Sequence, residues 1–129
     1  MKDFDIEKWI IDSPNDKEKA FRRAVHVILL AISNSPELRS QMIFHGGLLL
    51  TLKYKGVRHT TDLDFATKSK LVDVDEKSFL KELQKRLTDS SEILLYGLAC
   101  KVQSYKIKPP GENKNFQTLK IDVLYCGVS

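Results

Sequence analysis

Asp62-Leu63-Asp64-Phe65 alternates acidic and apolar side chains, the pattern of a strand with one buried face. Aspartate is disfavoured in strands, so two on one face require a physical reason. Fourteen residues separate Asp62 from the glycine pair of His45-Gly46-Gly47-Leu48-Leu49-Leu50. A double glycine lets backbone N–H groups approach a phosphate closely, and a helix start behind it would add free N–H donors. A third acid, Asp122, lies in Leu119-Lys120-Ile121-Asp122-Val123-Leu124-Tyr125. There Leu119, Ile121, Val123 and Tyr125 fall on one face, and Lys120, Asp122 and Leu124 on the other.

An Asp-x-Asp pair alone is weak evidence. The chain holds ten aspartates and three such pairs, Asp3/Asp5, Asp62/Asp64 and Asp73/Asp75, where chance gives about one. Asp3/Asp5 sits at a terminus, and Asp73/Asp75 enters a helix where capping accounts for it. Asp62/Asp64 remains, with a solvated edge strand as the plain alternative. Asp122 has its own plain alternative, a surface ion pair with Lys120 or a neighbouring lysine. If the Asp122 strand lies beside the Asp62 strand, three carboxylates converge and repel unless cations intervene. Mg²⁺, which prefers a few carboxylates plus phosphate oxygens, meets that need. Glycine pair, acid pair and late acid together point to nucleotidyl transfer from a nucleoside triphosphate.

Lys53, Lys55, Arg58 and His59 lie between the glycines and the acids. The two lysines read as a solvated helix end, whereas Arg58, closer to Asp62, is a candidate to counter triphosphate charge. Thr60 and Thr61 are either β-formers or carboxylate-orienting hydroxyls, and Thr61 joins Gly46, Gly47 and Arg58 as a candidate nucleotide-binding residue. His45 and His59 lack metal-ligand spacing, and His26, among apolar helix residues, reads as structural. No serine- or cysteine-centred nucleophile motif occurs.

Working outward, the spacing predicts helices over 4–11 and 17–33, the second burying Phe21, Val25, Ile28, Leu29 and Ile32 with Arg22 and Arg23 outside. Pro36 begins a helical turn, and residues 42–45 read as a buried strand. Leu48 to Tyr54 reads as a short helix with Gly56 at its end, residues 62–66 as a strand, and Asp75 to Leu87 as a helix stopped by Thr88-Asp89-Ser90-Ser91. Residues 93–107 and 116–126 read as two strands joined through Pro109-Pro110-Gly111-Glu112-Asn113-Lys114-Asn115. This order argues for an α/β or α+β fold with a mixed sheet and flanking helices, not a doubly wound parallel sheet.

The chain has 129 residues, the size of one domain with one modest core. Its 42% hydrophobic and 29% charged residues fit a globular protein and exclude a disordered one. A net charge of +4 permits anionic partners without demanding them. No apolar run reaches a membrane span and the N-terminus does not resemble a signal peptide, so a cytoplasmic location is expected. Cys100 and Cys126 are expected to be reduced core thiols.

The combination of His45-Gly46-Gly47-Leu48-Leu49-Leu50 with Arg58-His59-Thr60-Thr61-Asp62-Leu63-Asp64-Phe65 resembles the core motif of the AbiEii/AbiGii-type nucleotidyltransferases. These are toxin components of bacterial abortive-infection and toxin–antitoxin systems within the DNA polymerase β-like superfamily. Ile121-Asp122-Val123 resembles the family's third-carboxylate strand, and the likeness extends over roughly 42–126. The resemblance implies that Asp62, Asp64 and Asp122 bind metal and form the catalytic centre, Asp122 helping to deprotonate the acceptor hydroxyl. It also implies that Gly46 and Gly47 hold the triphosphate, that tRNA is an acceptor for some members, and that an antitoxin is a partner. His45 stands where a lysine is common, and Leu48 where a threonine or serine often follows the glycines. The family's helical C-terminal half is expected to be missing beyond Ser129, leaving one core domain over 1–129. These departures favour a competing reading, a non-catalytic or degenerate nucleotide- or protein-binding module on the same fold. A third reading, an RNA-binding domain, uses the basic residues and not the acids.

Overall fold

The structure is a computed structural model that describes residues 5–38, 49–54, 60–66, 76–108 and 118–127. Helix α1 (Ile6–Ile11) starts at Asp5, whose carboxylate accepts from the Lys8 N–H at 3.1 Å. Helix α2 (Asp16–Ser33) starts at Asn15, whose Oδ1 accepts from the Glu18 N–H at 2.8 Å. Both caps satisfy N–H groups that a helix cannot bond internally. Along α2 the buried stripe is Phe21, Ala24, Val25, Val27, Ile28, Ala31 and Ile32. Leu29, expected inside, is 37% exposed at the margin of that stripe. Arg22 and Arg23 are half-buried, not simply solvated. Arg22 donates to the Trp9 carbonyl at 2.6 Å and stacks on its ring, tying α1 to α2, while Arg23 lies over Tyr96. Residues 36–38 form a helical turn capped by Ser35, whose Oγ accepts from the Leu38 N–H at 3.1 Å.

Four strands form one sheet: β1 (Leu49–Tyr54), β2 (Thr60–Ala66), β3 (Leu98–Lys108) and β4 (Thr118–Gly127). Their order is β1-β2-β4-β3, and every pairing is antiparallel. Helix α3 (Glu76–Leu94) carries the chain from β2 to β3, and β4 returns into the gap between them. Helices and an antiparallel sheet make the fold α+β. The expected mixed sheet rested partly on a strand at 42–45, which lies outside the described residues; among these no parallel pair occurs.

The expected helix at 48–54 is instead strand β1. A six-residue apolar segment cannot sustain a helix alone, whereas pairing from Leu49↔Ala66 to Tyr54↔Thr61 gives its backbone a complete partner. Helix α3 runs on past Leu87 through the expected stop. Thr88 Oγ1 donates back to the Gln84 carbonyl at 3.1 Å and Ser90 packs inside, so these polar residues are accommodated within the helix. The chain turns only after Leu94, where Leu95 (φ 56°) and Gly97 (φ 66°) adopt left-handed backbone, and β3 starts at Leu98.

Helices α2 and α3 cover one face of the sheet. Phe79, Leu83 and Leu87 of α3 and the α2 stripe meet Leu63 of β2, Leu98 and Cys100 of β3, and Leu119, Ile121, Val123 and Tyr125 of β4. Ser35, just past α2, donates to Glu82 Oε2 of α3 at 2.5 Å, and Arg86 of the same helix donates to that oxygen at 2.9 Å. These bonds hold the Glu82 carboxyl below its ordinary range, the serine contributing most. No helix among the described residues is long and apolar enough to cross a membrane.

Two stability measurements follow from this arrangement. Leu95 is 84% exposed and left-handed, so Leu95→Gly removes strain at little packing cost. The urea midpoint should rise, by up to about 1 kcal/mol of stability; a lower midpoint would show that the leucine side chain contributes more than its strain costs. His26 Nδ1 lies 2.7 Å from the Tyr96 hydroxyl, and burial lowers the imidazole pKa against an opposing pull from Glu7. The unfolded chain therefore binds this proton more tightly. The stabilisation is present above about pH 6.5 and is lost as pH falls from there toward the lower folded value. Urea midpoints between about pH 7.5 and about pH 5.5 should fall more steeply in the wild type than in His26→Gln; equal slopes would remove His26 from the account.

Candidate active site

Strand alternation separates the two faces of β2. Thr61 and Leu63 are fully buried toward the helices, while Asp62 lies on the opposite face, half-buried, with its Oδ1 atom out of contact with solvent. On β4, Ile121 and Val123 are fully buried and Asp122 between them is half-buried on that same far face. The register pairs Asp62 with Asp122 directly across the ladder, and pairs position 64 with Lys120. Both strands are interior to the sheet, so each acid sits on a backbone bonded on both sides. Carboxylates directly opposite one another repel, which creates a local demand for positive charge.

One strand further out, β3 meets β4 with a one-residue irregularity. Leu98↔Gly127 through Val102↔Val123 follow one register, and Ser104↔Asp122 through Lys108↔Thr118 follow the next, with Gln103 as the extra residue. Ser104 therefore stands opposite Asp122 and donates to its Oδ2 at 3.0 Å. In the next row Lys106 pairs with Lys120. Hard oxygen donors and adjacent ammonium groups on one sheet face can receive a metal-bound polyphosphate. Among the described residues no three metal-ligating side chains form a cluster, so the acid pair is the centre described here.

The sequence-predicted residues divide accordingly. Asp62 and Asp122 come together. Position 64 lies two residues along β2 from Asp62, at a register position of the same face. Thr61 does not join them: it is on the core side of β2, opposite Val123. Gly46, Gly47 and Arg58 lie outside the described residues, as do His45, Leu48 and His59. Lys53 occupies the β1 position paired with Asp62. Two residues on this face were not anticipated, Ser104 and Lys106. Unbroken alternation from Leu98, Cys100 and Val102 places Ser104 on the core face, and only the bulge reverses this.

The cysteines differ from expectation in one respect. Both are free, and Cys100 is buried, its thiol pushed up to about 12 by desolvation and by Cys126 nearby. Cys126 is exposed, at an even position of β4 on the face of Asp122, opposite the helices.

A family model described as the nucleotidyl transferase AbiEii toxin of type IV toxin–antitoxin systems matches residues 28–128, most of the chain. No curated protein and no solved structure matches it. The matched segment contains β2, β3 and β4 entire, and with them the paired acids, Ser104 and both lysines. The chain belongs to the AbiEii family of nucleotidyl transferase toxins.

Proposed function

We propose that this protein transfers a nucleotidyl group from a nucleoside triphosphate to an acceptor hydroxyl, with Asp62, Asp64 and Asp122 as the metal-binding and catalytic acids. The observation that carries this reading is the direct pairing of Asp62 with Asp122 on the face of two interior strands opposite the helices. The donor set, all carboxylate oxygen, fits Mg²⁺, and Asp62 and Asp122 stand at paired positions of two interior strands. When bound, Mg²⁺ would neutralise phosphate charge and lower the pKa of the attacking hydroxyl.

The chain's own residues then position and stabilise. Asp122 takes the proton of the acceptor hydroxyl as its oxygen bonds to the α-phosphorus and the bond to pyrophosphate breaks. Lys120 and Lys106, one register row away, offset charge on the phosphates or on the acceptor backbone. Gly46, Gly47 and Arg58 hold the triphosphate in this reading. An RNA acceptor, tRNA included, suits a face where ammonium groups border the acids. The type IV toxin–antitoxin description of the family supports an antitoxin partner, and NTP and RNA substrates are consistent with a cytoplasmic activity. Leu48, which offers no hydroxyl after the glycines, supports the second reading, a module that binds nucleotide or protein without turnover.

Incubation with Mg²⁺, labelled NTPs and total cellular RNA should label RNA and release pyrophosphate. Asp62→Asn and Asp122→Asn should each reduce labelling about 100-fold or more while circular dichroism and melting temperature stay close to wild type. Mg²⁺-dependent nucleotide binding without transfer would select the non-catalytic module. RNA binding unaffected by either substitution, with no nucleotide binding, would leave only the basic residues with a role.

A further inference from the structure

We infer that Ser104 is a positioning residue for Asp122, an inference that rests on the nucleotidyl-transfer reading of the acid pair. Ser104 owes its place to the extra residue Gln103. In an unbroken ladder Gln103 would face Asp122, and Ser104 would face Ile121 on the core side. The inserted residue shifts every later position of β3 by one and delivers a short hydroxyl to the acid. The bond is direct, Ser104 Oγ donating to Asp122 Oδ2 at 3.0 Å.

The bulge is held from behind by α3. Gln84 Oε1 accepts from the Val102 N–H at 2.7 Å, and Gln84 Nε2 donates to the Cys100 carbonyl at 3.3 Å. Both backbone groups lie on the side of β3 away from β4, immediately before the shift, so a helix side chain bonds an otherwise open strand edge. An aspartate on a strand has two rotatable bonds and two equivalent oxygens. Fixing Oδ2 restricts the orientation of the carboxylate, as the outer hydrogen-bond partners of metal ligands commonly do. The serine does not touch the reacting atoms in this account.

The test uses the intact protein, with Mn²⁺ binding followed by electron paramagnetic resonance and nucleotide transfer followed at steady state. Ser104→Ala should weaken Mn²⁺ binding and lower kcat each by about 10-fold, with the KM for NTP changed less than about threefold, and Ser104→Thr should restore both. A merely structural role would lower the melting temperature of the alanine variant and leave Mn²⁺ affinity alone. Wild-type values in Ser104→Ala, beside a loss in Asp122→Asn, would overturn the positioning role and leave the acid-pair reading standing. Serine-dependent Mn²⁺ binding without any transfer would keep the positioning role and overturn nucleotidyl transfer. Mn²⁺ binding indifferent to both Ser104 and Asp122 would overturn both.

Discussion

The antiparallel pairing of β2 with β4 is the constraint on which this molecule depends. It sets Leu63 against Ile121 on one face and Asp62 against Asp122 on the other. The two outcomes are inseparable, because the side-chain period of a strand is two. A slip of one residue would drive a carboxylate into the helices and expose a leucine. The apolar side supplies the driving force, since Leu63, Ile121 and Val123 are fully removed from water. That burial holds two like charges together across the ladder, an arrangement that only a cation or donor groups can relieve.

The rest of the structure supports that register from the covered face. Helices α2 and α3 close the core, and the Ser35–Glu82–Arg86 bonds join the start of the 36–38 turn to α3. Gln84, one turn from the buried Leu87 and adjacent to the buried Leu83, reaches the β3 backbone from the same helix. Helix packing, strand irregularity and the Asp122 hydrogen bond thus form one connected series. The face opposite the helices bears Asp62 and Asp122 at paired positions and Lys120 and Lys106 in the next row, so its charge varies sharply over a few residues.

The sequence by itself determined the features whose cause is local. The helical spacing of Phe21, Val25, Ile28 and Ile32 marks α2, and the strict alternation of 119–125 marks β4 and puts Asp122 on the polar side. The same alternation placed Asp62 opposite its apolar neighbour Leu63, and the glycine-pair and acid-pair pattern pointed to the family that the match over 28–128 shows. These signals need only a few consecutive residues and the periods of helix and strand.

Tertiary structure alone decided what depends on distant partners. Leu49 to Tyr54 is ambiguous by periodicity and becomes a strand because β2 offers it a ladder. Thr88 and Ser90 read as a stop, yet α3 continues because Thr88 bonds back to Gln84 and Ser90 is enclosed by packing. Thr61 sits beside an acid in sequence but across the sheet from it in space. Ser104 faces Asp122 only because the extra residue Gln103 shifts the β3 register, with Gln84 bonding the strand just before it. A bulge follows no local period: it is stabilised by hydrogen bonds to groups sixteen to eighteen residues away, which no short stretch of sequence contains.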